Sequence, residues 1–390
     1  MQVYKEKADC CGCTACKNIC PTKAITMQVD EEGFLYPVID ESKCIQCGAC
    51  QKICAFQRGY SIQHRLEKPL VYAAKSKEIA TRMASSSGGI FTELAHDILK
   101  QNGILYGVKF NEKFDAIHTR VQTEEELKAC RGSKYVQSNL QDIFQMVKND
   151  LKGQRKVLFS GTPCQVAGLN RFLGNIDKQN LLLVDIVCHG TPSNQLFKEY
   201  VAFCEEKKQS KMVAYYNRDK SRGWGHNEKA VYANKKTDDK SVLSQAWKNI
   251  FYTNLALRPC CYNCQYTNTQ RPSDITLADF WGIHQSNPEF ADKKGVSLVM
   301  VNTIKGKEIF ENIQARIETI QKTVEEASVK NPQLKHPIEK NQTQREKFWK
   351  VYREEGFTSI LKKYGKYTMT FKIKNITTRL KYKIKEILKK

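Results

Sequence analysis

Two cysteine runs constrain this chain more than any other feature. Cys10-x2-Cys13-x2-Cys16-x3-Cys20 is followed directly by Pro21, and Cys44-x2-Cys47-x2-Cys50-x3-Cys54 repeats the spacing. With Cys11 they hold nine of the sixteen cysteines. The short steps let one loop present three thiolates to one face of an iron–sulfur cube. In the two-cluster arrangement the fourth cysteine of each run ligates the other cluster. The spacing therefore assigns Cys10, Cys13, Cys16 and Cys54 to one 4Fe–4S cluster. Cys44, Cys47, Cys50 and Cys20 go to a second, and Cys11 is left over. A tetrahedral zinc site needs two ligand pairs and gains nothing from a third Cys-x2 step. Disulfides suit small secreted chains, and Met1 to Asp9 has no apolar signal core.

Residues 5–57 resemble bacterial two-cluster ferredoxins, which implies an α+β ferredoxin-like domain over 1–57. At 390 residues the chain is too long for that domain alone. Gln57 to Pro69 reads as a polar linker. Beyond it strands and helices alternate, which points to α/β architecture. Leu70 to Lys75 reads as a strand leading into Ser85-Ser86-Ser87-Gly88-Gly89. Ile90, Phe91, Leu94, Ala95, Ile98 and Leu99 then repeat at helical spacing up to Lys100. A serine–glycine turn before a helix offers amides, hydroxyls and a positive dipole end, which suits phosphate. It equally serves as an ordinary cap with a close-packed glycine pair.

Strands are expected over Ile104 to Phe110, Ala116 to Val121, Lys156 to Ser160, Leu181 to Val187, Asp274 to Phe280 and Ser297 to Val301. Helices are expected over Glu124 to Ala129, Asn139 to Leu151, Ala246 to Leu257 and Lys305 to Ile317. Residues 325–345 read as a Lys/Gln-rich linker or loop. Between them Lys134 stands beside Tyr135 in a loop, a charge and an aromatic ring of the kind a flavin uses. The same pair suits a solvated loop.

Cys130 and Cys204 fall in helical patterns and read as structural. Cys164 and Cys188 instead follow strand ends, where open α/β sheets place their sites. Thr162 and Pro163 put Cys164 in the first turn of a helix. Cys261 and Cys264 form a further Cys-x2-Cys pair. These four thiols suit a third 4Fe–4S cluster, or a zinc ion. Alternatively Cys164 is a nucleophile activated by His189. Two upstream electron-transfer clusters favour the third cluster.

Residues 70–310 also resemble the coenzyme F420 hydrogenase/dehydrogenase β-subunit family. The matching stretches are Ser85 to Ile90, Gly132 to Ser138, Gly161 to Gln165, Val187 to Gly190, Arg258 to Cys264 and Ser273 to Gly282. One departure is Ala278, where the family often has glycine. The resemblance implies an α/β flavin-binding domain, with regions 70–152 and 153–320, and FAD beside a 4Fe–4S cluster. It maps the cluster ligands onto Cys164, Cys188, Cys261 and Cys264, with Cys260 a bystander. It draws the FAD site from Ser86, Ser87, Gly88, Gly89, Lys134 and Tyr135. Lys134 is the residue expected to stabilise reduced, anionic flavin, and His189 the expected proton donor.

The expected activity is iron–sulfur flavoprotein oxidoreduction, with hydride passing to or from coenzyme F420 or another organic substrate. The alternatives are a ferredoxin-dependent reductase in polysaccharide biosynthesis and a non-catalytic electron-transfer subunit. A ferredoxin or a partner oxidoreductase subunit is the expected redox partner. The net charge is +22, and residues 361–390 hold eleven Lys/Arg against Glu386 alone. The rest is moderately basic and shows no nucleic-acid recognition pattern. Residues 321–390 read as a polar linker and a helical basic tail. In that tail Ile373, Ile376, Leu380, Ile384, Ile387 and Leu388 follow helical spacing, suiting an anionic membrane surface. The expected location is the cytoplasm, with the tail allowing a peripheral position at the inner face of the membrane.

Overall fold

The computed structural model describes residues 2–368; the amphipathic pattern at Ile373 to Leu388 lies outside them. Strands β1 (Ile25–Val29) and β2 (Leu35–Ile39) form an antiparallel hairpin with Ile25 opposite Ile39. Asp30 closes the turn, its carboxylate accepting the amides of Glu32 and Phe34 at 3.1 and 2.8 Å. The short helices Ala15–Ile19 and Ala49–Lys52 hold Cys16 and Cys50 beside this hairpin.

The remaining strands are β3 (Arg65–Ser76), β4 (Ile104–Phe110), β5 (Ala116–Val121), β6 (Val157–Gly161) and β7 (Leu181–Ile186). They continue with β8 (Met212–Tyr216), β9 (Lys229–Tyr232), β10 (Thr237–Asp238), β11 (Ile275–Asp279), β12 (Ser297–Thr303) and β13 (Ile317–Lys322). Eight of them make one mixed sheet in the order β13-β3-β12-β11-β7-β6-β4-β5. Its centre, β11-β7-β6-β4, is parallel, and the strands outside that centre pair antiparallel. Strands β8 to β10 form a separate antiparallel sheet.

The central strands are apolar on both faces because helices cover both. Side chains alternate across a strand. Ile104, Tyr106, Val157, Phe159, Leu181 and Leu183 therefore face one layer, with helices Ile143–Lys152 and Pro163–Leu173. Leu105, Leu158, Leu182 and Val184 face the other, with Ile90–Lys100 and Ile304–Asn312.

Several elements differ from the sequence reading. The stretch 57–69 is not simply linker, because β3 begins at Arg65 and pairs on one side with β12 and on the other with β13. The helix expected from Asn139 starts at Ile143. Asn139 exchanges backbone hydrogen bonds with Ala116 and His118, and Gln141 turns left-handed at φ 47°. The helix from Ala246 stops at Phe251, where Asn254 is left-handed and Leu257 bridges to Pro192. Ile317 opens an edge strand rather than closing a helix. Residues 325–345 are largely structured. Helix Gln342–Glu355 and helix Phe357–Lys363 bury Phe348, Trp349, Ile360 and Leu361 against Trp247 and against Phe34 and Tyr36 of the hairpin unit. The Lys/Gln-rich start of that stretch is one exposed face, and the apolar face begins at Phe348. Among the described residues no helix is long and apolar enough to cross a membrane.

Buried His118 packs flat on Phe159, ring centroids 5.2 Å apart, with Nε2 donating to the Ser160 carbonyl at 3.0 Å. Burial pushes its pKa down to about 4. The folded state keeps it neutral while the unfolded chain protonates near 6.5, so its contribution is full above pH 6.5 and fades towards pH 4. The shift corresponds to about 3 kcal/mol. Urea unfolding of the full chain between these pH values should show that loss, and His118→Gln should flatten it.

Candidate functional site

The fourth cysteine of each N-terminal run stands with the first three of the other. Cys20 lines a recess with Cys44, Cys47 and Cys50. Cys54 lines another with Cys10, Cys13 and Cys16. The hairpin folds the two runs face to face, which brings residues far apart in sequence to one opening. Burial pushes the thiols of Cys10, Cys16 and Cys50 up, and that of Cys54 up to about 11. Thiols so placed are costly to ionise alone. Bound metal removes that cost by taking up the thiolate charge, so the donor set fits an iron–sulfur centre.

A third group of thiols lies at the carboxyl ends of β6 and β7. Thr162 caps the helix Pro163–Leu173 through a reciprocal pair with Gln165, placing Cys164 in its first turn. Cys188 follows β7 after Val187. Cys261 and Cys264 come from the tight turn Pro259–Asn263 and its end. Burial first, then the charges of Cys261, Cys164 and Cys264, push Cys188 well above the ordinary thiol range. Cys261 is drawn the other way, by a hydrogen bond from Cys260 and then by the Thr191 amide, which donates to its sulfur at 3.4 Å. Buried Arg271 fastens this turn to the sheet. It donates to Asp185 at 3.0 Å, to the Ile186 carbonyl at 2.8 Å and to the Tyr266 carbonyl at 2.5 Å. Among the described residues no three His, Cys, Asp or Glu side chains converge on a single-ion site.

The recess of Cys10, Cys13, Cys16 and Cys54 and the third thiol group meet at the leftover residue. Cys11 is buried, and the neighbouring thiols of Cys13 and Cys164, with burial, push its own thiol well above the ordinary range. Cys130 and Cys204 lie buried in separate cores, far from this junction in the packing.

The serine–glycine turn and the Lys134 loop also come together. The Ser133 amide and hydroxyl reach Ser86 Oγ at 2.8 and 3.0 Å. Ser87 Oγ donates to the Val296 carbonyl, the Gly88 amide donates to Ser297 Oγ, and Gly89 caps the helix Ile90–Lys100. Lys134 Nζ donates to three carbonyls, Ala129 at 2.9 Å, Arg131 at 3.0 Å and Gly132 at 3.1 Å. Its donors are therefore taken, and it presents a fixed charge rather than a free hand. Tyr135 stacks on His226 at 4.5 Å and meets Phe251 edge-on at 4.9 Å. Phe251 in turn lies 4.9 Å from His189, whose Nε2 is 2.7 Å from Asn254 Oδ1. Burial lowers the His189 pKa. A train of rings thus joins Tyr135 to the residue beside Cys188.

The sequence reading missed the loop that holds these parts. Arg218 makes a buried two-pronged pair with Asp279 at 2.6 and 2.8 Å, and also donates to Tyr135 Oη and the Ser86 carbonyl. Lys220 donates to the carbonyls of Arg82, Ser87 and Lys294. Trp224 donates to Asp279 at 2.5 Å and stacks on Trp281 at 4.8 Å. Asp279 fell inside a recognised motif, but Arg218 and Lys220 carry no spacing signal of their own.

Residues 9–57 match a 4Fe-4S dicluster domain. Residues 71–145 match the N-terminal part, and 154–326 the C-terminal part, of the coenzyme F420 hydrogenase/dehydrogenase beta subunit. The chain belongs to that family. It is thus an iron–sulfur, oxidoreductase-family chain. Among solved structures, a chain of the F420-reducing NiFe hydrogenase complex from Methanosarcina barkeri, studied as its xenon derivative, is 16% identical. The match covers 78% of this chain and 94% of that one, with a TM-score of 0.45. No curated protein sequence matches.

Two outcomes follow from the geometry. In anaerobic preparations, Cys20→Ala and Cys54→Ala should each lose about four irons, one cubane's worth. Cys54→Ala should spare the centre held by Cys44, Cys47 and Cys50, and Cys20→Ala the one held by Cys10, Cys13 and Cys16. Arg271→Ala strands a buried Asp185 carboxylate and should lower stability by about 3–5 kcal/mol in urea unfolding.

Proposed function

We propose that this chain is an iron–sulfur flavoprotein subunit that connects a one-electron donor to a two-electron organic carrier. The supporting observation is the contiguity of its parts: first recess, Cys11, third thiol group, His189, ring train, and the joined Ser86 and Lys134 loops. When bound, the clusters supply one-electron chemistry and FAD supplies hydride exchange.

The residues divide the work. Cys10, Cys13, Cys16 and Cys54 would hold one cluster, and Cys20, Cys44, Cys47 and Cys50 another. Cys164, Cys188, Cys261 and Cys264 would hold the third. A relay fed by two N-terminal clusters favours a third cluster over a zinc ion at these thiols. Ser86 and Gly89 sit at the positive end of an eleven-residue helix and would meet the flavin's phosphates, while Ser87 and Gly88, engaged with Val296 and Ser297, would shape the turn. Tyr135 would wall the ring system. Lys134 would place a fixed cation where negative charge develops on the reduced ring. His189, held neutral and oriented by Asn254, would carry a proton. A ferredoxin or a partner oxidoreductase subunit would be the donor, and coenzyme F420 leads among carriers because it exchanges hydride.

Anaerobic protein should contain about twelve irons and one FAD per chain, from three cubanes. After reduction with dithionite, oxidised deazaflavin coenzyme should reoxidise the flavin, and reduced coenzyme should reduce it. Flavin bound but inert in both directions would transfer the reading to another organic carrier. Absence of flavin from fully iron-loaded protein would leave a non-catalytic electron-transfer subunit.

A further inference from the structure

Arg258 lies three residues before Cys261, yet its side chain belongs to the N-terminal unit. It is wholly buried. Nε donates to the Cys10 carbonyl at 2.8 Å, Nη2 to the Leu35 carbonyl at 2.9 Å and Nη1 to Gln137 Oε1 at 2.9 Å. Nη2 also donates to Cys10 Sγ at 3.7 Å. The guanidinium lies over the Tyr36 ring, 4.2 Å from its centroid. Gly12, between Cys11 and Cys13, makes room for it: a Cβ there would come within 2.9 Å of Nη1.

The chemistry of this cluster is unusual in one respect. A buried arginine is ordinarily paired with a carboxylate, and an unpaired buried charge is strongly destabilising. Arg271, Arg218 and Arg345 follow that rule, with Asp185, Asp279 and Glu32. Arg258 has no carboxylate partner among the described residues, and its acceptors are two carbonyls, an amide and a sulfur. The groups beside it able to carry negative charge are cysteines. Arginine stays protonated in proteins, so its charge is buried here. The counter-charge therefore has to come from thiolates, which exist here when metal is bound.

The other N-terminal recess offers a contrast. Its lining is Cys20, Cys44, Cys47 and Cys50 with small and apolar residues, and contains no charged side chain. Cys47 is exposed, whereas Cys13 and Cys16 are buried. The potential of an iron–sulfur cluster follows its net charge, the hydrogen bonds to its sulfurs and its exposure. Arg258 brings both a hydrogen bond and a positive charge to Cys10, whereas in the other recess the Thr22 hydroxyl lies 3.7 Å from Cys20 Sγ but no lining side chain carries charge.

We propose that Arg258 is a positioning residue that sets the reduction potential of the first cluster. Each electron added there makes the cluster more negative, and the buried guanidinium stabilises that charge where burial alone would oppose it. Through Arg258 the turn that carries Cys261 also fixes the centre nearest to it. The proposal rests on the three-cluster reading above.

The test is a redox titration followed by electron paramagnetic resonance on the anaerobically purified full chain. The Cys54→Ala chain, which loses the first cluster, identifies that cluster's signal by difference. Arg258→Met and Arg258→Gln should keep iron and sulfide while the reduced-to-oxidised ratio of the first cluster at fixed poise falls at least tenfold, about 59 mV for one electron. Arg258→Lys, which keeps the charge, should recover most of that shift, and the second cluster should not move. An unchanged first-cluster midpoint in an iron-replete neutral variant overturns the proposal. Should both neutral variants lose the first cluster while Arg258→Lys retains it, the charge requirement stands. Loss in all three makes Arg258 a packing residue and overturns it. Absence of a first-cluster signal in the unsubstituted chain would instead defeat the cluster reading before Arg258 is touched.

Discussion

The missing side chain at Gly168 sets the distance on which the rest of the site depends. A Cβ there would lie 2.8 Å from Cys13 Sγ, closer than any real contact. Because there is none, the N-terminal cysteine loop lies directly on the helix Pro163–Leu173, one turn beyond Cys164. Cys11, Cys13 and Ala15 enter the same apolar layer as Phe144, Phe159 and Leu183. The N-terminal unit is therefore built into the sheet's own core. Close packing is also the requirement for passing electrons between centres, so the contact that stabilises the fold serves the proposed activity.

The carboxyl ends of the parallel strands gather everything else. Cys164 follows β6, Cys188 follows β7, and Asp279 ends β11. Parallel strands leave the sheet on the same side, so their following loops converge there. Two buried Arg–Asp pairs organise the convergence. Arg271 with Asp185 holds the Cys261–Cys264 turn, and Arg218 with Asp279 holds the Ser86 and Tyr135 loops. Such pairs add little net stability over apolar packing, but breaking one leaves a stranded charge. Their value is in fixing where each loop sits.

Much of this was legible in the sequence because it is local. The spacing of Cys10 to Cys20 and Cys44 to Cys54 carries its chemistry on one loop each. Apolar runs such as Leu181 to Ile186 announce a strand buried on both faces, and the Thr162-Pro163 pair announces a helix start. Residues 342–363 were obscured because a Lys/Gln-rich face precedes Phe348 and Trp349, and burial of one helix face is settled by its partner. Ile317 reads as the end of the helix from Lys305 because period alone does not reveal a free strand edge waiting on β3.

The sequence by itself determined the two cysteine runs and their spacing, which stretches form the central strands, and that one cysteine in the first run was surplus. Only the tertiary structure decided that the surplus Cys11 lies between Cys13 and Cys164, and that Arg258 reaches Cys10. It alone joined the Ser86 turn to the Lys134 loop, and took up the lysine's donors with backbone carbonyls. The physical reason is range. Ligand spacing and periodicity act within a few residues of chain. The environment of a buried charge or thiol is set by groups hundreds of residues away that folding alone brings into contact.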